Sequence, residues 1–530
     1  MSIILRSISY IHPDREVLFR NLTLSVATGE KAALIGPNGT GKSTLLQIMA
    51  GRLQASEGDI TLSEKPYYVP QHMGQYDAFS LAEMLGVDQK IKALQAILQG
   101  DASPEHFTAL DDDWEIEERV KAALEFWQLQ HLDLGQTLQS LSGGEKTKVF
   151  LAGISIHSPK IILMDEPSNH LDTHSRDLLY AFLSGSKASI VVVSHDRTLL
   201  NLLPVTLELS HNGIEVYGGN YDFYKEQKET KLQALQEQVD DKEKTLKQAQ
   251  QKAREVAEQR HKKEARGKAH GQKLALPRII ANSRKGQAEQ STAKLKEAHN
   301  EKISGISEDL KELKTQIQAS KVLQVDLRKS DLHQGKILIA AKAINFAYTQ
   351  QKLWSSPLSF QIRSGDRIRI SGNNGAGKTT LLHLITGKLS PSEGEVYRAD
   401  FHYIYMDQEY SAIEPQYSIV EQIEKFNTRH LQEHELKMLL YQHQFGRDMW
   451  DRKCADLSGG EKMKLLLCCL AASDNTPDMV ILDEPTNNLD IHSQEVLTHA
   501  IQAFTGTVLV ISHDQYFIQQ IQVETTLELG

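Results

Sequence analysis

Short apolar runs recur along the chain, each four or five residues long and each closed by glycine, serine or a charge. Ala32–Ile35, Ile161–Met164, Ile190–Val193 and Met479–Leu482 are examples. Runs of that length read as strands, and because they are apolar without alternation they read as parallel strands buried on both faces. Residues 88–120 instead show helical spacing. A third pattern fills roughly 221–331, where Leu232, Leu235, Val239, Leu246, Ala249, Ala253 and Val256 recur every three or four positions on a charged background. Ile303, Ile306, Leu310, Leu313 and Ile317 repeat the pattern, which predicts two amphipathic helices sharing a narrow seam, an antiparallel hairpin. Gly267, Gly271, Pro277 and Gly286 mark its expected turn.

The runs sit inside an internal duplication. GPNGTGKST at Gly36–Thr44 returns as GNNGAGKTT at Gly372–Thr380, an offset of 336. LSGGEK at Leu141 returns at Leu457, MDEPSNHLD at Met164 returns as LDEPTNNLD at Leu482, and VSHD at Val193 returns as ISHD at Ile511. Gln71 pairs with Gln408 at an offset of 337 while the LSGGE motifs pair at 316, so the first copy is about 20 residues longer between these points. The expected fold is α/β, two phosphate-loop domains joined by a helical hairpin, over residues 1–220, 221–331 and 332–530.

Each glycine-rich motif follows a strand-like run and precedes a helical one. That context lets successive backbone N–H groups wrap phosphates at a helix N-terminus. Lys42 and Lys378 would reach the β- and γ-phosphates, and Ser43 and Thr379 would ligate Mg²⁺. The strands ending at Met164 and Leu482 each deliver two acids. Asp165 and Asp483 suit the Mg²⁺ shell, and Glu166 and Glu484 suit polarising an attacking water. Without the LSGGE upstream, an Asp-Glu pair would read as a solvated strand end.

These residues resemble the ATP-binding-cassette superfamily, and the resemblance covers most of the chain. It implies that Ser142, Gly143, Gly144 and Glu145 of the first copy close over nucleotide held by Gly372, Asn373, Asn374, Gly375, Ala376, Gly377, Lys378, Thr379 and Thr380 of the second. Reciprocally, Ser458, Gly459, Gly460 and Glu461 would close over Gly36, Pro37, Asn38, Gly39, Thr40, Gly41, Lys42, Ser43 and Thr44. It also implies that Gln71 and Gln408 contact Mg²⁺ and water, that His195 and His513 sense the γ-phosphate, and that Asp172 and Asp490 lie in the loop connecting the sites. Tyr10, with Phe346 or Tyr348, would stack on adenine. Both copies keep every group, so two hydrolysis-competent sites are expected, with ATP and Mg²⁺ as ligands.

A net charge of −10 argues against wholesale coating of nucleic acid, and no apolar stretch reaches the ~20 residues of a membrane helix. Cys454, Cys468 and Cys469 form no ligand or disulfide spacing and read as reduced core thiols, in keeping with a cytoplasmic protein. Within this acidic chain, Arg260–Lys285 holds nine Lys/Arg against one acid, Glu264, with Leu274, Leu276, Ile279 and Ile280 beside Pro277. Phosphate contact is the natural use of such a tip. Tandem cassettes, a hairpin between them, and YGGNYDFY at Tyr217–Tyr224 are similar to the ABC-F family. That resemblance implies a monomer whose cassettes pair internally, and a hairpin directed at ribosomal RNA and tRNA without membrane insertion, in translation or antibiotic protection. An ATPase subunit of a transporter with a separate membrane partner, or a DNA-repair cassette ATPase, are the alternatives.

Overall fold

The computed structural model describes residues 2–13, 15–210, 212–273, 297, 301–314, 332–348, 351–373, 375–474, 476–487 and 489–529. These fall into two compact units: Met1–Asp222 with Leu323–Gly530, and Phe223–Val322.

The first unit contains the same architecture twice. In the first copy five parallel strands run in the order Tyr67–Val69, Ile161–Asp165, Ser189–Val193, Lys31–Ile35, Val205–Ser210, and Gly213–Tyr217 adds an antiparallel edge. The second repeats it with Tyr403–Met406, Met479–Asp483, Thr507–Ile511, Arg367–Ser371 and Thr525–Glu528, all parallel. Ile161–Asp165 and Ser189–Val193 are buried at every position, as unalternating apolar strands covered on both faces must be. Beside each parallel sheet lies a three-stranded antiparallel one, ordered Val17–Val26, Ile3–Ile11, Glu57–Leu62 and Leu358–Arg363, Ile337–Asn345, Glu393–Arg398. In Val17–Val26 burial alternates toward the end of the strand, which marks a sheet with one face packed and one wet.

The helices Lys42–Met49 and Lys378–Thr386 start directly on the glycine-rich motifs. Leu45, Leu46 and Met49 bury against Leu34, Leu163 and Val193, so the loop is clamped between strand and core. The extra length of the first copy falls within helices Asp88–Leu98 and Pro104–Leu110, ahead of Ile116–Phe126, whose counterpart in the second copy is Glu433–Gln442. All three cysteines are free and buried.

In the second unit one helix runs from Tyr221 to Lys273. The turn expected at Gly267 and Gly271 does not form there; the helix passes through both. A glycine costs a helix only about 1 kcal/mol, and the surrounding Lys, Glu, Ala, Arg and Gln residues favour helix strongly enough to carry it. Residues 301–314 are also helical. Val239 and Leu310 are buried, and Lys314 Nζ to Glu243 Oε1 (2.6 Å) and Lys242 to Asp309 tie the two helices together. The apolar cluster Leu274–Ile280, the cations Arg278, Arg284 and Lys285, the expected turn residues Pro277 and Gly286, and Ile317 lie outside the described residues. Among the described residues no helix is long and apolar enough to cross a membrane.

Candidate functional site

The phosphate loops turn on backbone that only glycine tolerates. Gly41 has φ +92, and a Cβ there would stand 2.6 Å from the Leu18 side chain; Gly377 repeats this against Leu353 at 2.4 Å. In both loops the lysine folds back on its own motif. Lys42 Nζ donates to the carbonyls of Gly36 (2.7 Å) and Pro37 (3.0 Å), and Lys378 Nζ to those of Gly372 (2.7 Å) and Asn373 (3.2 Å). Burial pushes Lys42 below the usual lysine range, although Glu166, Asp490 and Asp165 pull it up. An anion on the loop would satisfy this desolvated ammonium. Asn374 lies outside the described residues.

Ser43 Oγ donates to Asp165 Oδ1 at 3.1 Å, so a hydroxyl and a carboxylate suited to a divalent cation already converge. Burial raises Asp165 and Asp483 above the ordinary carboxylate range, where a cation would bring them down. Each acid also carries a phenol the sequence reading missed: Tyr68 Oη at 3.4 Å from Asp165 Oδ2, and Tyr405 Oη at 2.7 Å from Asp483 Oδ2. Their offset of 337 equals that of the two glutamines, which was the available signal. Gln71 follows the strand Tyr67–Val69, and Gln408 lines the cavity described below.

One residue on, Glu166 and Glu484 are held with φ of 51° and 50°, a left-handed backbone that costs a non-glycine residue energy and fixes where its carboxylate points. Their N–H groups bond Val193 O and Ile511 O, both at 2.8 Å. Each carboxylate takes one weak backbone bond, from His195 N at 3.3 Å and His513 N at 3.4 Å, and each Oε1 stands 3.4 Å from the imidazole Nε2 of the same histidine. Neither Oε1 has a hydrogen-bond partner among the described residues. Burial drives Glu166 upward, helped by Asp165, and Glu484 up to about 7 against the pull of Arg176 and Lys378. Burial drives His195 downward and His513 down to about 4. A buried carboxyl with a free oxygen and a titration point near neutrality has the properties of a general base.

Ser142 and Ser458 cap the helices Gly143–His157 and Gly459–Ala472. Glu145 and Glu461 complete capping boxes with them; Ser142, Gly143 and Ser458 are exposed, whereas Gly460 is buried. The two copies meet head to tail. A cavity of about 560 Å³ is lined on one side by Gly375, Lys378, Thr379, Glu484 and His513, and on the other by Ser142, Gly143 and Gly144. Tyr348 lines it too, its hydroxyl 2.9 Å from Thr380 Oγ1 and its ring 4.9 Å from Phe346. On the other side of the duplication, Asp490 Oδ2 accepts the N–H of Asn38 in the first phosphate loop at 3.0 Å. Tyr10 rests against Phe19, whose ring borders Gly41. Arg197, buried to 1%, crosses between the copies to Gln520 Oε1 (3.1 Å) and stacks on Tyr516.

The family described as ABC transporter matches residues 19–169 and 355–487. The chain is 28% identical over 99% of its length to the uncharacterized ABC transporter ATP-binding protein YfmM of Bacillus subtilis, covering 98% of that protein. It is 27% identical over 95% of its length to ABC transporter F family member 5 of Arabidopsis thaliana, covering 72% of it. A crystal structure titled as the complex of archaeal ribosomal stalk protein aP1 and archaeal ribosome recycling factor aABCE1 superposes with a TM-score of 0.60 at 19% identity, over 98% of this chain and 87% of that one, which shows a shared fold. With matched segments spanning both phosphate loops and both Asp-Glu strands, the chain belongs to the ATP-binding-cassette family as a tandem-cassette ATP hydrolase, similar along its length to members of the F type.

Proposed function

We propose that this ATPase acts on the ribosome, using two ATP molecules to close its cassettes on each other and the helical segment 221–331 to reach RNA. The observation that carries the ATP-clamp reading is the head-to-tail cavity, in which the lysine, glutamate and histidine of one cassette face the serine-glycine turn of the other. In this reading the phosphate-loop amides and Lys42 or Lys378 bind the phosphates. Glu166 and Glu484 each orient and deprotonate water, and His195 and His513 hold the glutamate in place through their backbone N–H. Ser43, Asp165 and Gln71 would hold Mg²⁺ at site one, and Thr379, Asp483 and Gln408 at site two, where the ion neutralises phosphate charge.

The ribosome assignment rests on the nine cations of Arg260–Lys285 in a chain of net charge −10, and on the F-type relatives. Binding of ATP drives engagement; hydrolysis releases it. The same architecture serves routine translation and protection from ribosome-directed antibiotics.

The test is sedimentation of the Glu166→Gln/Glu484→Gln protein with ribosomes, with and without ATP. Expected is ATP-dependent co-sedimentation that disappears when Arg260–Lys285 is removed. Failure to sediment in either state overturns the ribosome assignment and turns the search to a membrane partner.

A further inference from the structure

The two ATP sites share their motifs but not the residues that reach into them from the opposite cassette. The helix Thr173–Gly185 follows Asp172, and Ile491–Ala503 follows Asp490; both start with the same cap, Asp172 on Ser175 N at 2.9 Å and Asp490 on Ser493 N at 2.8 Å. Their first turns read Thr-His-Ser-Arg and Ile-His-Ser-Gln. From the first cassette, Thr173 Oγ1 lies 3.0 Å from His513 Nδ1 of the second. The reciprocal position is Ile491, which has no hydroxyl, and His195 Nδ1 is buried with no hydrogen-bond partner among the described residues. Arg176 lines the same cavity as Glu484 and His513, braced by its Nε on Leu171 O (3.1 Å) and by Asp196 at 3.6 Å. Its counterpart Gln494 turns its amide onto Thr486 O and Leu489 O within its own cassette.

We infer that Thr173 is a positioning residue acting across the interface: it fixes the ring of His513, whose Nε2 stands 3.4 Å from Glu484 Oε1, making site two the faster of two unequal hydrolysis sites. Imidazole orientation is set by what its second nitrogen bonds. The Thr173 hydroxyl supplies that bond only while the cassettes are together, so site two senses closure through its histidine and site one does not. Arg176 adds a cation from the same helix turn, beside the phosphate end of the cavity. This rests on the assignment of Glu166 and Glu484 given above.

The experiment measures steady-state ATP turnover in two backgrounds, Glu166→Gln, which leaves site two, and Glu484→Gln, which leaves site one. Thr173→Val is expected to lower kcat roughly 2- to 10-fold in the first background with little change in KM, the range set by one hydrogen bond. Thr173→Ser, which keeps the hydroxyl, restores it. The loss in the second background is several-fold smaller, and Ile491→Thr there raises kcat. An equal loss in both backgrounds, no loss in either, or a loss that serine does not rescue overturns the inference. Failure of the underlying assignment shows separately, as undiminished turnover in the Glu166→Gln/Glu484→Gln protein.

Discussion

Asp490 does two jobs with two oxygens, and substitution can separate them. Its Oδ1 accepts Ser493 N at 2.8 Å and starts the helix Ile491–Ala503; its Oδ2 accepts Asn38 N at 3.0 Å in the first phosphate loop. Burial works upward on its carboxyl, but the bonds from Ser493 and Asn38 hold it below the usual range. Its stabilisation is therefore complete above the ordinary aspartate value and fades only as pH falls through the lower folded one. Asp490→Ala loses both jobs: about 1 kcal/mol for the cap, and about 1.5–3 kcal/mol for a charge-assisted bond whose donor is left behind. Asp490→Ser keeps a capping oxygen but is too short to serve Asn38. Thermal unfolding should thus place Asp490→Ala about 2–4 °C below Asp490→Ser, the shift that 1 kcal/mol gives in a domain the size of one cassette. Both should weaken nucleotide binding at site one by roughly 10- to 150-fold, read with a fluorescent ATP analogue in a Lys378→Ala background. If the serine variant unfolds as early as the alanine one, the cap carries none of the stability. If it binds nucleotide at site one as tightly as the parent, the bond to Asn38 contributes nothing to closure.

His443 is buried with both ring nitrogens unpartnered among the described residues, and burial depresses it to about 4. The unfolded chain takes up its proton below the ordinary value of 6.5 while the folded one resists. Stability must then fall as pH drops from 6.5 toward 4, by up to about 1.4 kcal/mol per pH unit for one proton, and urea midpoints of a His443→Leu protein should show a slope shallower by that amount. An unchanged slope would remove His443 from the account. Gly36 sits at φ +152 with the position of a Cβ 2.2 Å from Leu209 O, a backbone atom of the neighbouring strand. Gly36→Ala should abolish ATP binding at site one while site two still binds, measured in the intact chain by counting nucleotides retained per molecule.

The duplicated motifs were legible because each is contiguous in sequence and each chemical demand is local: glycines for a loop, a lysine for phosphate, two acids at a strand end. The head-to-tail pairing came from resemblance, and the cavity that brings Gly143 opposite Lys378 agrees with it. What the sequence hid lies at contacts made only after folding. Tyr68 and Tyr405 look like ordinary strand aromatics until the next strand carries an aspartate alongside. Thr173, Arg176 and Arg197 look like surface positions of amphipathic helices, and are half-buried or buried because the other cassette covers them. Gly267 and Gly271 do not break the helix because the residues around them favour helix strongly enough to offset their cost.

How the two copies have diverged follows from where each residue stands. Lys31 and Arg367 differ in kind, yet both turn their cationic heads onto carbonyls at the end of the corresponding helix, Lys31 on Leu183 O (2.6 Å) and Arg367 on Ile501 O (3.2 Å) and Phe504 O (2.8 Å). Either cation suits the negative end of a helix, so the exchange leaves the fold of each cassette intact. Thr173 against Ile491 and Arg176 against Gln494 are different in consequence. They sit where one cassette meets the other's glutamate and histidine, and neither isoleucine nor an inward-bonded glutamine can do what threonine and arginine do there. The exchange of Lys31 for Arg367 thus leaves each cassette's own contacts in place, whereas Thr173 against Ile491 and Arg176 against Gln494 change what one cassette presents to the other. In the proposed clamp, equivalent loops would hold the two nucleotides while unequal residues face them from the opposite cassette.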